Sequence, residues 1–321
     1  MILNILFLVV GIVLILWGAD KFTDGACGAA RQLKVSELMI GMTVVAFGTS
    51  LPEFVVSLFS SLQGSADMSI GNVFGSNLFN TLVIVGASAM VMPMALERVT
   101  IRRDLPLNAV FAVLITAACF FVGGKEQLLS RPEGLCVLAV FLLFMGYSIV
   151  ESRRSGQQPA EADASADGAT EGDMKMWKIL AFILLGIGCL VGGGQLLVDS
   201  ATEIAREMGV SESIIGLTIL AGGTSLPELA TSMMAARKGK SSLAIGNAIG
   251  SNLFNIGFVL GVCSGISPMH IEGINYWDGV ALILSSCLLW LFCFTGRKVE
   301  RYEGALLVLA YGGYLAYKIM M

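Results

Sequence analysis

Two glutamates lie in apolar surroundings, each at the end of the same polar string: Gly48-Thr-Ser-Leu-Pro-Glu53 and Gly223-Thr-Ser-Leu-Pro-Glu228. Spacings of three and four put Thr49, Ser50 and Glu53 on one helical face, and Thr224, Ser225 and Glu228 likewise. Pro52 cannot donate a backbone hydrogen bond and restricts Leu51, and Gly48 loosens the same turn. The expected result is a break in the helix that frees backbone carbonyls, notably that of Ala46. A second string follows each first one: Gly75-Ser-Asn-Leu-Phe-Asn80 and Gly250-Ser-Asn-Leu-Phe-Asn255. Asn72, Ser76 and Asn80 recur every four residues and share a face, as do Asn247, Ser251 and Asn255. Carboxylates, hydroxyls, amides and free carbonyls together suit hard cations such as Ca²⁺ and Na⁺. Zn²⁺ and Cu⁺ would want imidazole or thiolate.

The strings belong to a longer duplication. Residues 36–86 reappear without a gap as 211–261, offset by 175, with 24 positions identical. Polar groups duplicated inside apolar helices are costly in lipid, which makes them functional candidates. A tandem copy with helix breakers at matching places is the pattern of a transporter built from two related halves. Gly71 and Gly75 add a small-xxx-small surface for close packing on a neighbouring helix.

A purely structural reading competes with the chemical one. Ser50-x-x-Glu53 and Ser225-x-x-Glu228 also have the spacing of capping boxes, with Pro in the first turn. Asn72, Asn77, Asn247 and Asn252 suit interhelical hydrogen bonds as well as ion contacts. Two copies, each followed by an Asn/Ser stripe, favour the ion reading.

The elements that must position these residues are membrane helices. Hydrophobic residues make up 55% of the chain, charged residues 14%, and mean hydropathy is +0.79. Ten windows are long enough to cross a bilayer: near 2–20, 35–62, 68–92, 105–122, 134–150, 177–202, 211–236, 243–266, 276–295 and 303–319. The first lacks a cationic start and a cleavage site, so it is expected to be a retained helix. The expected fold is an all-α integral membrane protein. Its ten transmembrane helices form two five-helix repeats, broken at the midplane, and an odd number per half inverts the second copy. The halves are expected at 1–150 and 177–321, with an acidic, disordered linker over 151–176.

Charge sets the orientation. Sixteen of the 20 Lys and Arg fall on the side of the linker and four on the other. The positive-inside rule makes the linker side cytoplasmic and puts both termini outside. The linker's Asp163, Ser165, Asp167 and Gly168 imitate the start of an EF-hand loop, but the twelfth position is Met174 where Glu is required. The seven cysteines are scattered, and His270 is the only histidine. No P-loop, no H-E-x-x-H and no Ser/His pair is present, which argues against an enzyme.

At the two polar strings the chain resembles the cation/calcium exchanger superfamily, in particular the sodium/calcium exchanger branch with its paired alpha repeats. The likeness covers the whole architecture and is sharpest over 36–86 and 211–261. It implies alternating-access exchange of Ca²⁺ for Na⁺ through one central site, without a cofactor or an obligate protein partner. Carried over residue by residue, the ligands are Thr49, Ser50, Glu53, Ser76 and Asn80 with Thr224, Ser225, Glu228, Ser251 and Asn255. The carbonyls of Ala46 and Ala221 join them. Some relatives, including potassium-dependent ones, carry Asp where this chain has Asn255, which weakens the case for K⁺ co-transport. The short linker implies a minimal, prokaryote-like exchanger of the plasma (inner) membrane. A proton/cation antiporter using the same glutamates is the nearest rival reading. A channel is a further one, since broken helices and oxygen ligands also build filters.

Overall fold

Backbone groups in lipid find no water, so a spanning chain must satisfy them internally. This chain does so with helices. The computed structural model describes residues 2–63, 66–122, 128–154, 174–209, 221–271 and 274–320. Helix α1 is Ile2–Leu33, α2 is Glu37–Thr49 and α3 is Leu51–Leu62. Then follow α4 (Met68–Val91), α5 (Thr100–Val122) and α6 (Arg131–Arg154). The remaining helices are α7 (Met176–Glu207), α8 (Leu226–Arg237), α9 (Ser241–Ile266), α10 (Tyr276–Gly296) and α11 (Arg301–Met320). A single turn, Ala221–Gly223, precedes α8.

Among the described residues, seven helices are long and apolar enough to cross a membrane: α1, α4, α5, α6, α7, α9 and α10. The pair α2–α3 passes the same test as one span bent by 49°. The segment expected near 211–236 is described only from Ala221 onward; of the linker expected over 151–176, residues 155–173 lie outside the described residues, and 151–154 are the last turn of α6 instead. Helix α11 is regular over 20 residues but carries Arg301, Glu303 and Lys318. The protein is therefore an all-helical membrane protein.

The first helix corrects one expected boundary. The apolar window ends near residue 20, yet α1 continues to Leu33. Asp20, Lys21 and Asp24 look like a helix end in the sequence. In the fold they are neutralised: Lys21 pairs with Asp20 at 2.9 Å, and Lys238 reaches Asp20 at 2.7 Å and Asp24 at 2.5 Å. Helices α1 and α7, 32 residues each, lie against one another along their length. Their contact is glycine-lined: a Cβ on Gly193 would sit 2.8 Å from Leu14 Cβ and 2.9 Å from the Gly11 carbonyl oxygen.

Helix α9 lies at the centre of the molecule. Every residue from Leu243 to Phe254 is buried. It packs tightly on α2, where a Cβ on Gly250 would lie 2.5 Å from Met42 Cα. Gly246 and Gly250 thus make the close small-xxx-small contact expected of Gly71 and Gly75, whereas among the described residues those two pack on nothing: a Cβ on either would have no atom within 4 Å. Two short antiparallel ribbons tie distant connections together. Strand β1 (Met94–Ala95) pairs with β4 (Lys298–Val299), and β2 (Leu128–Leu129) pairs with β3 (Met269–His270).

Candidate ion-binding site

The break between α2 and α3 falls on Ser50, whose backbone takes φ −84° and ψ 9°. Ser225, before α8, takes φ −90° and ψ 7°. The same string therefore makes the same turn twice. In each case Pro occupies the first helical turn, and the glutamate follows it directly. Glu53 and Glu228 are both fully buried.

The two copies then cross. The Ser50 hydroxyl donates to Glu228 Oε1 at 2.8 Å, and the Ser225 hydroxyl donates to Glu53 Oε1 at 2.9 Å. Ser225 Oγ also lies 3.2 Å from Ser76 Oγ. The capping-box reading is thereby corrected: neither serine caps its own helix with its side chain. A charged acceptor in the other copy offers a stronger hydrogen bond than a nearby backbone amide does.

The asparagine stripes hold the glutamate backbones. Asn72 Nδ2 donates toward the Glu53 carbonyl at 3.4 Å and toward Ser57 Oγ at 3.2 Å. Asn247 Nδ2 repeats the pattern with the Glu228 carbonyl at 3.3 Å and Ser232 Oγ at 2.9 Å. Here the interhelical reading of Asn72 and Asn247 prevails. Ser57 and Ser232, unnoticed in the sequence, are the partners; their identity across the repeats was the available signal. Thr49 Oγ1 lies 3.0 Å from the Val45 carbonyl and 3.2 Å from Asn247 Oδ1. The Ala46 carbonyl is not freed by the break, because it accepts from the Ser50 amide at 3.0 Å. The Thr49 hydroxyl lies 3.4 Å from the same oxygen, a long contact whose place a cation could take.

Asn80 and Asn255 share a backbone feature that the sequence does not signal. Each opens a π-helical stretch, Asn80–Ile84 in α4 and Asn255–Leu260 in α9. Such stretches recur at functional sites because they re-aim side chains within a helix. Asn255 Nδ2 reaches Asn77 Oδ1 at 3.4 Å, and Asn252 Nδ2 donates to Thr81 Oγ1 at 2.8 Å.

Several buried oxygens have no protein donor: Glu53 Oε2, Glu228 Oε2, Thr224 Oγ1, Ser251 Oγ, Asn80 Oδ1 and Asn255 Oδ1. These six belong to residues singled out by the duplicated strings; other unpartnered buried atoms, such as Asp104 Oδ2 and Asn108 Oδ1, lie elsewhere in the protein. A buried polar atom left unpaired is costly, and an oxygen-only set of this kind suits a hard cation. Among the described residues no three His, Cys, Asp or Glu side chains cluster as a metal site. The donor set is two carboxylates supplemented by neutral oxygens. The structure joins Thr49, Ser50, Glu53, Ser76, Ser225 and Glu228 through direct hydrogen bonds or through Asn247. Asn80, Ser251 and Asn255 lie on α4 and α9 without such links, Thr224 lies in the turn just before Ser225, and Ala221 contributes only its place in the turn before α8.

A membrane protein of bent helices around a pair of buried, cross-bonded glutamates belongs to the class of ion carriers, and comparison with known proteins gives the family. The profile described as sodium/calcium exchanger protein matches residues 3–150 and 178–320. The chain belongs to the sodium/calcium exchanger family, whose members are membrane antiporters for Ca²⁺ and another cation. It is 38% identical over 319 residues to CaxA of Alkalimonas amylolytica, a candidate antiporter, covering 98% of each chain. It is 32% identical over 347 residues to the sodium/calcium exchanger MaX1 of Methanosarcina acetivorans, covering 97% of each. Its fold is similar to that of the sodium-calcium exchanger NCX_Mj soaked with Na⁺ and Ca²⁺, with a TM-score of 0.82, 29% identity and 98% of both chains covered.

Proposed function

We propose that this protein exchanges Ca²⁺ for Na⁺ by alternating access through a single oxygen-lined site at the membrane midplane. The observation that carries the reading is the crossed pair Ser50–Glu228 and Ser225–Glu53, with the second oxygen of each carboxylate left without a donor. Thr49, Ser50, Glu53, Ser76, Asn80, Thr224, Ser225, Glu228, Ser251 and Asn255 are the proposed side-chain ligands. The carbonyls of Ala46 and Ala221 complete the set.

Charge explains why loading and movement are coupled. A charged carboxylate at the bilayer centre costs roughly 2.5–3.5 kcal/mol even on the lenient insertion scale. One Ca²⁺ or two Na⁺ neutralise the pair, so a loaded carrier crosses the occluded state more easily than an empty one. Flux of one ion is then tied to flux of the other. Directional bias further requires that the ions bind the two access states differently.

Ten transmembrane helices in two inverted five-helix halves, over 1–150 and 177–321, are part of the same proposal. So are a cytoplasmic linker over 151–176, outward termini and residence in the plasma membrane. Na⁺ as the coupling ion is supported by the names of MaX1 and NCX_Mj. The test is ⁴⁵Ca²⁺ uptake into proteoliposomes with Na⁺, K⁺ and H⁺ gradients imposed in turn. Uptake driven by an outward Na⁺ gradient is the expected result. Uptake driven only by H⁺ would assign the glutamates to proton exchange, and unitary currents would assign a channel.

A further inference from the structure

Away from the glutamates, a cavity of about 520 Å³ opens where the C-terminal turns of α1 meet the start of α7 and the end of α8. Its lining is basic: Arg31, Lys175, Lys178, Lys238 and Lys240 face it, against the single carboxylate of Asp24. Two of the cations are committed. Lys238 is held by Asp20 and Asp24, and Lys240 by Glu37 at 2.8 Å. Asp24 is therefore already neutralised. Arg31, Lys175 and Lys178 form no ion pair among the described residues; Lys178 only stands over the Phe182 ring at 5.3 Å. The start of α7 adds to the positive field, because its N-cap residue Lys175 provides no side-chain cap. Among the described residues the Met176 and Trp177 amides of this 32-residue helix meet no acceptor, while those of Lys178 and Ile179 donate to the Lys175 carbonyl.

The surroundings decide what kind of anion fits. Trp177, 68% exposed, stands at the cavity mouth in the manner of an interfacial aromatic. One and two turns further along α7, Leu180 and Leu184 are 51% and 69% exposed, an apolar face continuous with the cavity. A phosphate in the cavity would therefore have its acyl chains led along α7 into the hydrocarbon. We propose that this cavity binds the phosphodiester headgroup of an anionic membrane phospholipid, with Arg31, Lys175 and Lys178 as the three cations that receive it. Basic pockets between membrane helices are a recognised form of such sites. The proposal does not depend on which ion drives exchange.

The test is binding, read by native mass spectrometry and thermal unfolding of the full chain in detergent. Phosphatidylglycerol, phosphatidylcholine and inorganic phosphate are titrated separately. The expected result is retention of phosphatidylglycerol and stabilisation by it, with little effect of phosphatidylcholine. Arg31→Gln, Lys175→Gln and Lys178→Gln combined should weaken phosphatidylglycerol binding by about tenfold to a hundredfold. The charge-retaining set Arg31→Lys, Lys175→Arg and Lys178→Arg should preserve it. Equal binding of the two lipids, or undiminished binding in the glutamine variant, overturns the proposal. An effect of inorganic phosphate equal to that of the lipid would make the ligand a free anion. Lipid preference that emerges only after removal of residues 156–173 would show that the chain's own acidic segment holds the cavity, and the lipid proposal would fail.

Discussion

The hydroxyl of Ser50 donates to Glu228 at 2.8 Å, a contact between residues 178 positions apart that sets the two polar strings face to face in a buried centre. Its counterpart from Ser225 to Glu53 has nearly the same length. Each string thus serves the carboxylate of the other.

Removing either donor should weaken cation binding in the same direction. Ser50→Ala and Ser225→Ala each take away a hydrogen bond to a charged acceptor, worth about 1.5–3 kcal/mol, as well as a ligand oxygen. The expected outcome is a KM for Ca²⁺ raised about tenfold or more, measured as ⁴⁵Ca²⁺ uptake against concentration. An unchanged KM in both variants would remove the serines from the ion pathway.

Losing one carboxylate should be more severe. Glu53→Gln and Glu228→Gln keep the volume but leave a single charge facing a divalent ion. Exchange is expected to fall by at least about a hundredfold while the protein still inserts and unfolds cooperatively. Near-normal uptake by both variants would overturn the site assignment.

Asn255→Asp tests the neutral part of the set. A third carboxylate near Glu53 and Glu228 makes protons stronger competitors for the site, since like charges resist ionising together. Exchange should then begin to fail at a higher pH than in the parent as the medium is acidified. Sensitivity to K⁺ is expected to appear with it, because the extra anion accommodates another monovalent ion. Superimposable pH and K⁺ profiles would return Asn255 to a helix-packing role.

Packing around the centre should tolerate no added bulk. A Cβ on Gly250 would meet Met42 Cα at 2.5 Å and Ala46 Cβ at 2.8 Å. Both are parts of a helix backbone or its stem and cannot swing aside. Gly250→Val is expected to destabilise the protein by about 1–3 kcal/mol or more, read as a lowered Tm in detergent. Gly312→Ala on α11, with nothing within 4 Å of the new atom, is the silent control.

The sequence made some of this legible and hid the rest for physical reasons. Glu53 and Glu228 stood out because charge inside apolar helices is costly and here occurs twice. Gly48 and Pro52 located the break at Ser50 to within a residue or two. The serines stood out as ligand candidates with a capping box as the rival reading, but their acceptors were hidden, because the capping spacing is local and their partners lie in the other string. The length of α1 was hidden likewise: Asp20 and Asp24 ended the apolar window, and only folding brings Lys238 to them. No sequence pattern marks the π-helical turns at Asn80 and Asn255, which depend on packing around α4 and α9. The ribbons were beyond reach too, since two residues per strand leave no periodicity to detect.

Those ribbons bear on how the protein is made. Met94 pairs with Val299 and Ala95 with Lys298, so a connection synthesised early waits for one that leaves the ribosome about two hundred residues later. Chains are built from the N-terminus, and contacts between sequence-distant segments are slow to form. Through most of translation the early strand has no partner, and its edge is open to unwanted pairing. The seam therefore closes only with the arrival of Lys298 and Val299, just ahead of α11, about two hundred residues after it was begun.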